Sequence, residues 1–401
     1  MISKIFEHCL ITLSVDILQS SHFQFGFKKD KGCRDALYVL NEAVDYLVDR
    51  GSTVNLCAVD LTKAFDNVDH YILFTKLLNK KVPIYLIKIL HDWYTKCFCM
   101  VNWGKSVSRI FPMAQGVRQG GVLSPILFSI YVDGVLVKLN EIGLGCHPQG
   151  MVISAIMYAD DIILLSPSVR LLQQLVALCE QEFNAINLKF NVLKCTAMRV
   201  GVRHKCDAIE LYDLFNNSIQ WVNEMKYLGV VLKHGMNLKI NVHQNKVKYF
   251  RAFNAIFAKL GSSSNPDTLV HLIKSHCLSV LLYNLEAVHL SKSNLNDLCF
   301  PLNRSYVKIF HVNDKINIAY CQFYMQQLPV ELQLDFRRMC YLRKLACTNC
   351  SLLTHIFECC SKANLEYLYE KYDIVSVDNN ISRNALLRCC WSKFASFFNI
   401  E

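Results

Sequence analysis

Val152-Ile-Ser-Ala-Ile-Met-Tyr158-Ala159-Asp160-Asp161-Ile-Ile-Leu-Leu165 decides the fold. Two apolar, β-branched runs flank a pair of acids, which is the pattern of a β-hairpin with both carboxylates at its tip. Alone the pair has a plain explanation, because aspartate is a favoured turn residue. A second segment changes the balance. Leu56-Cys-Ala-Val-Asp60-Leu-Thr-Lys-Ala-Phe65-Asp66 reads as an apolar strand that ends at Asp60, with a helix starting soon after. Asp66 and Asp69 suit the capping of that helix better than Asp60 does. Asp60, Asp160 and Asp161 together offer hard oxygen ligands from adjacent strands, the set that two magnesium ions about 4 Å apart need for phosphoryl transfer.

Working outward, short β-branched runs alternate with helix-period segments from about residue 51 to 235. Val54 to Val59, Val152 to Tyr158, Ile162 to Leu165 and Tyr227 to Leu232 read as strands. Asp69 to Leu78 and Val169 to Phe183 read as helices covering one face of a sheet. Gly116-Val-Arg118-Gln119-Gly120-Gly-Val-Leu-Ser124-Pro125 is a glycine-rich turn whose Ser-Pro end suits the start of a helix. Beyond Gly235 helical patterns dominate, punctuated by the run from Gly261 to Pro266 and by Pro301.

The composition sets the limits. With 52% hydrophobic and 19% charged residues in 401, the chain folds around real cores. A net charge of +10, spread along the chain, leans toward an acidic partner such as nucleic acid. Nineteen cysteines at irregular spacing suggest that most are free, buried thiols in a reducing compartment. Glu7 and His8 interrupt the apolar amino terminus, so it does not read as a targeting peptide, and no apolar run is long enough to span a membrane. Cys347, Cys350, His355 and Cys360 have the spacing of a zinc knuckle, but the residues between them have helix-like apolar spacing and lack the glycines a knuckle needs.

Six segments in this order resemble the conserved blocks of reverse transcriptases, most closely those of non-LTR retrotransposons. Gln24-Phe-Gly26-Phe27-Lys28 resembles the block that opens the palm, and Val59 to Asp66 the first catalytic block. Arg118 to Pro125 resembles the second, Tyr158 to Asp161 the paired-aspartate block, Asn187 to Cys195 the next, and Tyr227-Leu228-Gly229 the primer-grip hairpin. The resemblance implies an α+β fold: a right-hand polymerase palm, with an antiparallel sheet backed by helices, then an all-helical thumb and carboxy-terminal region. The implied divisions are 1–50 as a remnant of fingers and palm entry, 51–235 as palm, and 236–401 as thumb and extension.

It further implies an RNA-directed DNA polymerase that extends a DNA primer on an RNA template with dNTPs and two Mg2+ ions, Mn2+ being an alternative. Asp60, Asp160 and Asp161 would bind the metals, and Lys194 would donate a proton to pyrophosphate. Phe65 would exclude a ribose 2′-hydroxyl, Gln119 and Gly120 would touch the nascent pair, and Tyr158 would sit beside the primer end. Lys28, with Lys29, Lys31 and Arg34, would contact the triphosphate in place of truncated fingers. Asn187 stands where the family usually has glycine, and asparagine tolerates the left-handed backbone a turn there requires. An intracellular ribonucleoprotein, nuclear or cytoplasmic, is the implied setting. A catalytically silent nucleic-acid-binding remnant of a retrotransposon polyprotein is the competing expectation.

Overall fold

The strand that ends at Asp60 organises a six-stranded sheet. Its residues are buried almost without interruption, as a central strand covered on both faces must be. In the computed structural model, which describes residues 2–14, 17–261, 265–374 and 381–398, the chain forms two compact units. One comprises residues 1–36 and 51–222, the other 37–50 and 223–401. The break in pattern expected at Gly235 therefore falls inside the second unit, and residues 262–264 of the Gly261 to Pro266 run lie outside the described residues.

The first unit begins with α1 (Ile2–Thr12), and α2 (Cys33–Val48) starts in it and continues in the second. Next come β1 (Thr53–Val59), α3 (His70–Asn79) and α4 (Ile84–Thr95). A narrow ribbon follows, made of β2 (Phe98–Cys99), β3 (Asn102–Trp103), β4 (Ser106–Val107) and β5 (Phe111–Pro112). After it lie α5 (Ser124–Glu141), β6 (Ala155–Tyr158), β7 (Asp161–Ser166), α6 (Val169–Ala185), β8 (Thr196–Gly201), β9 (Leu211–Tyr212) and β10 (Ser218–Trp221). The sheet order is β6-β7-β1-β8-β10-β9, antiparallel except for the β8/β10 pair. One core joins β1, β6 and β7 to α5 and α6 through Leu127, Phe128, Tyr131, Leu164, Leu172 and Phe183.

Local chemistry explains the helix starts. Asp69 caps α3 by accepting from the Ile72 amide at 3.1 Å, as its position suggested, and Ser168 caps α6 through the Leu171 amide. Pro125 occupies the first turn of α5, where a missing N–H does no harm. The ribbon is different. Phe98, Met100, Val101, Trp103, Val107 and Ile110 are each more than half exposed, and they lie on both of its faces.

The second unit carries a three-stranded sheet, β11 (Glu224–Tyr227), β12 (Val230–Lys233) and β13 (Lys239–Asn241), so strand structure continues a little past Gly235. Helices then take over: α7 (His243–Leu260), α8 (Pro266–Leu272), α9 (Leu278–Leu281), α10 (Lys292–Phe310), α11 (Lys315–Tyr324) and α12 (Val330–Ala346), then α13 (Ser351–Ile356), α14 (Lys362–Lys371) and α15 (Arg383–Phe398). Pro301 does not break the chain there; α10 runs through it. Within this unit His289 sits between Glu42, at 3.0 Å, and Asp45, at 3.8 Å, while Arg338 donates to its other ring nitrogen. Burial, and the charges of Glu42 and Asp49, push the Asp45 carboxyl up to about 6 against the opposing pull of His289.

All nineteen cysteines are free, but only six are buried and three are exposed, so burial is less common than the sequence reading expects. Among the described residues no helix is long and apolar enough to cross a membrane.

Candidate active site

The ladder between β1 and β7 pairs Val59 with Ile162. Asp60 is the next residue on one strand and Asp161 the preceding one on the other, so the two positions lie opposite each other where the ladder ends. Antiparallel partners at such a position have Cα atoms about 4.5–5.5 Å apart. The β6/β7 hairpin pairs Tyr158 with Asp161, leaving Ala159 and Asp160 as a two-residue turn. Ala159 has φ +58°, a conformation unusual for a residue with a side chain. The half-buried tip raises the Asp160 carboxyl above the usual carboxylate range. Burial is the main cause, the hydrogen bond from its own backbone amide opposes it, and the charge of Asp60 adds to it. Asp60 and Asp160 thus share one electrostatic environment.

The segment after α6 closes over Asp60. Phe190 bridges to Leu61, and the Asn191 amide donates to the Asp60 carbonyl at 2.8 Å. Asn187 adopts φ +59°, the left-handed geometry its identity suggested, and its side-chain amide donates to Asp69 at 3.1 Å. Lys194 follows in a single 3₁₀ turn, and its ammonium lies 3.6 Å from Asp60 Oδ2, with the lysine side chain 68% exposed.

Phe65 lies in the turn that leaves β1. Its ring is half-buried, stacks on Phe128 of α5 at 4.2 Å, and meets Phe27 edge-on at 6.0 Å. The glycine-rich block is bonded to the same turn: the Val117 amide donates to the Phe65 carbonyl at 2.9 Å, and Gln119 Nε2 to Asp66 Oδ1 at 2.8 Å. Gly116 is required here. Its φ is +87°, and a Cβ would sit 2.7 Å from the Asp66 carbonyl oxygen. Gly120 has φ +78° with nothing beside it, so its backbone is open to an approaching molecule.

Tyr158 is half-buried at the hairpin base, next to Ala159. Lys28 is in the same unit, and its ammonium donates to the carbonyls of Ser20, at 2.8 Å, and Ser21. Tyr227, Leu228 and Gly229 belong to the second unit. The apolar run from Tyr227 to Leu232 predicts one strand, whereas Leu228 and Gly229 form the turn between β11 and β12, with φ +46° and +81°, a hairpin as the resemblance implies.

The donor set of Asp60, Asp160 and Asp161 is all carboxylate oxygen, which suits a hard divalent cation. Among the described residues, no three His, Cys, Asp or Glu side chains are already arranged as a metal cluster. The Lys194 ammonium, 3.6 Å from Asp60 Oδ2, supplies that carboxylate with positive charge. Cys347, Cys350, His355 and Cys360 do not form such a group either. Cys347 ends α12, His355 lies within α13, and Cys360 falls in the π-helical turn after it, so helical geometry spreads them apart.

Two residues of the site were not singled out for these roles in the sequence. Glu7 was an interruption in an apolar stretch. It is buried, accepts from the amides of Val122 and Leu123 at the start of α5, and lies 3.7 Å from Arg118. A carboxylate there satisfies orphan helix amides and the helix dipole. The second is Gln24, whose buried amide bonds to Ala159. For Glu7 the available signal is an acid inside an apolar helical pattern.

A family model described as reverse transcriptase (RNA-dependent DNA polymerase) matches residues 1–232. The chain belongs to that family, and its fold is the α+β palm and helical thumb that the family implies. Within the family its relatives are non-LTR retrotransposon proteins. It is 24% identical over 276 residues to the Retrovirus-related Pol polyprotein from type-1 retrotransposable element R2 of Popillia japonica, covering 66% of this chain and 44% of that protein. It is 30% identical over 229 residues to the RNA-directed DNA polymerase from mobile element jockey of Drosophila funebris, covering 55% of this chain and 24% of that one. The chain thus spans less than half the length of either relative. Among solved structures, apo telomerase from Candida tropicalis aligns with a TM-score of 0.47 at 13% identity, over 98% of this chain and 59% of that one.

Proposed function

We propose that the chain is an RNA-directed DNA polymerase that extends a DNA primer 3′-hydroxyl on an RNA template, using dNTPs and two divalent ions, Mg2+ or Mn2+. The carrying observation is the convergence of Asp60 with the Asp160/Asp161 hairpin at the end of one ladder. Asp60, Asp160 and Asp161 would hold the ions, whose chemistry is to activate the attacking hydroxyl and neutralise the triphosphate.

The chain's own groups do the rest. Phe65, braced by Phe128 and Phe27, presents a flat edge to the incoming sugar and leaves no room for a 2′-oxygen. Gln119 and the open backbone at Gly120 contact the nascent base pair, and Tyr158 supports the primer end. Lys194 begins as the partner of Asp60 and hands a proton to the departing pyrophosphate. Lys28 reaches the triphosphate by exchanging the Ser20 and Ser21 carbonyls for phosphate oxygens. Tyr227, Leu228 and Gly229 form the hairpin that would grip the primer. An intracellular ribonucleoprotein, nuclear or cytoplasmic, is the setting proposed for this activity.

The test is primer extension on an RNA template, comparing the parent chain with Asp160→Asn. Loss of a metal ligand removes several kcal/mol of transition-state stabilisation, about 10²-fold or more in rate. Equal activity of the two proteins rejects the metal assignment. The engagement of Lys28 with backbone carbonyls favours a second reading, a silent nucleic-acid-binding remnant. Tight binding of a template–primer duplex without extension by the parent chain would select it.

A further inference from the structure

Gln24 is 1% exposed, and its amide is committed to one place. Its Nε2 donates to the Ala159 carbonyl at 3.2 Å, and its Oε1 accepts from the Ala159 amide at 3.1 Å and the Gly26 amide at 2.9 Å. A side-chain amide carries one donor edge and one acceptor edge, so it can satisfy both backbone groups of a single residue. Ala159 is that residue, immediately before Asp160 at the hairpin tip.

The backbone on either side is arranged to permit this. The Phe25 amide donates to the Met157 carbonyl at 2.8 Å, and the Met157 amide to the Phe23 carbonyl at 2.9 Å, so residues 23–25 run beside β6 as a short added rung. Gly26 then lets the chain pass the turn: a Cβ there would lie 2.4 Å from the Ala159 nitrogen. Ala159 itself holds φ +58°, a conformation that L-residues keep only where surrounding contacts over-determine it. The contacts that do so are those from Gln24 and Gly26. A hairpin tip normally leaves such groups to water and is free to rock.

We propose that Gln24 is a positioning residue, whose amide fixes the backbone of Ala159 and so sets the direction in which the Asp160 carboxylate meets a divalent cation. The proposal rests on the polymerase reading for its purpose, though not for its geometry. Partners that orient a metal ligand without touching the metal change affinity or rate by about 10–100-fold when removed.

The experiment uses the full chain and two variants. Gln24→Met keeps length and bulk while removing both hydrogen-bonding edges. Gln24→Asn keeps the amide but is one methylene too short to span Ala159. Mn2+ binding, followed by electron paramagnetic resonance, and primer extension over a range of Mg2+ concentrations are read in parallel. Both variants should bind Mn2+ about 10–100-fold more weakly, need correspondingly more Mg2+ for half-maximal rate, and show a lower kcat with the dNTP KM within about twofold. If either folded variant matches the parent in Mn2+ affinity and kcat, the proposal is overturned. Should Gln24→Met fail to fold, Gln24→Asn decides. A parent chain that extends no primer sinks the polymerase reading, yet weaker Mn2+ binding by the variants would still uphold the clamp, and equal binding would reject it.

Discussion

Replacing Phe65 by alanine should relax the choice between deoxyribonucleotides and ribonucleotides without abolishing synthesis. Phe65 is held by a stacked contact with Phe128 at 4.2 Å and an edge contact with Phe27 at 6.0 Å, so it cannot swing aside for an added oxygen. Steric rejection of one extra group is worth about 1–3 kcal/mol, which is a factor of about 10–200 in relative kcat/KM. Phe65→Ala should remove most of that factor. Phe128→Leu provides the internal control, because it leaves Phe65 in place but takes away the stacked ring, worth about 0.5–1.5 kcal/mol. Its effect on selectivity should therefore be intermediate, at most about tenfold. The assay is single-nucleotide incorporation with matched dNTP and NTP on one template–primer. Unchanged selectivity in Phe65→Ala refutes the steric role, and a larger loss in Phe128→Leu than in Phe65→Ala refutes the bracing.

Gly116→Ala should lower stability by at least about 1–2 kcal/mol from the left-handed backbone alone, with further strain from the 2.7 Å approach to the Asp66 carbonyl; an unchanged denaturant midpoint would contradict it. Asp45, held at about 6, binds its proton more tightly folded than unfolded, so it reduces stability as pH rises from the ordinary carboxylate range through 6. Asp45→Asn should accordingly stabilise the chain on the order of 1–3 kcal/mol above pH 6 and do nothing near pH 4, and denaturation at the two pH values checks the sign.

The candidate ligands were more legible in the sequence than the residues around them. Asp60, Asp160 and Asp161 stood out because strand, turn and strand are short-range patterns, and a carboxylate at a strand end has few explanations. Asn187 could be read because it stands at a glycine position of the family and asparagine tolerates the same left-handed backbone. Gln24 could not, because a buried amide gives no hint of which distant backbone it will bond; its partner Ala159 lies 135 residues away. Glu7 shares that blindness, reaching α5 from 115 residues before it. The turn at Leu228 and Gly229 is legible only through the resemblance to a primer-grip hairpin: the apolar run from Tyr227 to Leu232 continues through it, and alternation does not mark where a strand reverses. The ribbon from Phe98 to Pro112 went unread because its two-residue strands are too short to show a period and are apolar on both sides.

That ribbon bears on how the protein behaves in bulk solution. Trp103 is 83% exposed at its end, and a sheet of two strands has unpaired peptide groups along both margins. Carbon-rich surface beside open peptide edges is what neighbouring molecules adhere through as concentration rises, and a positively charged chain at low ionic strength resists this only by repulsion. Added salt should therefore promote self-association, with Trp103→Lys restoring monodispersity in light scattering. Association indifferent to that substitution would place the sticky surface elsewhere.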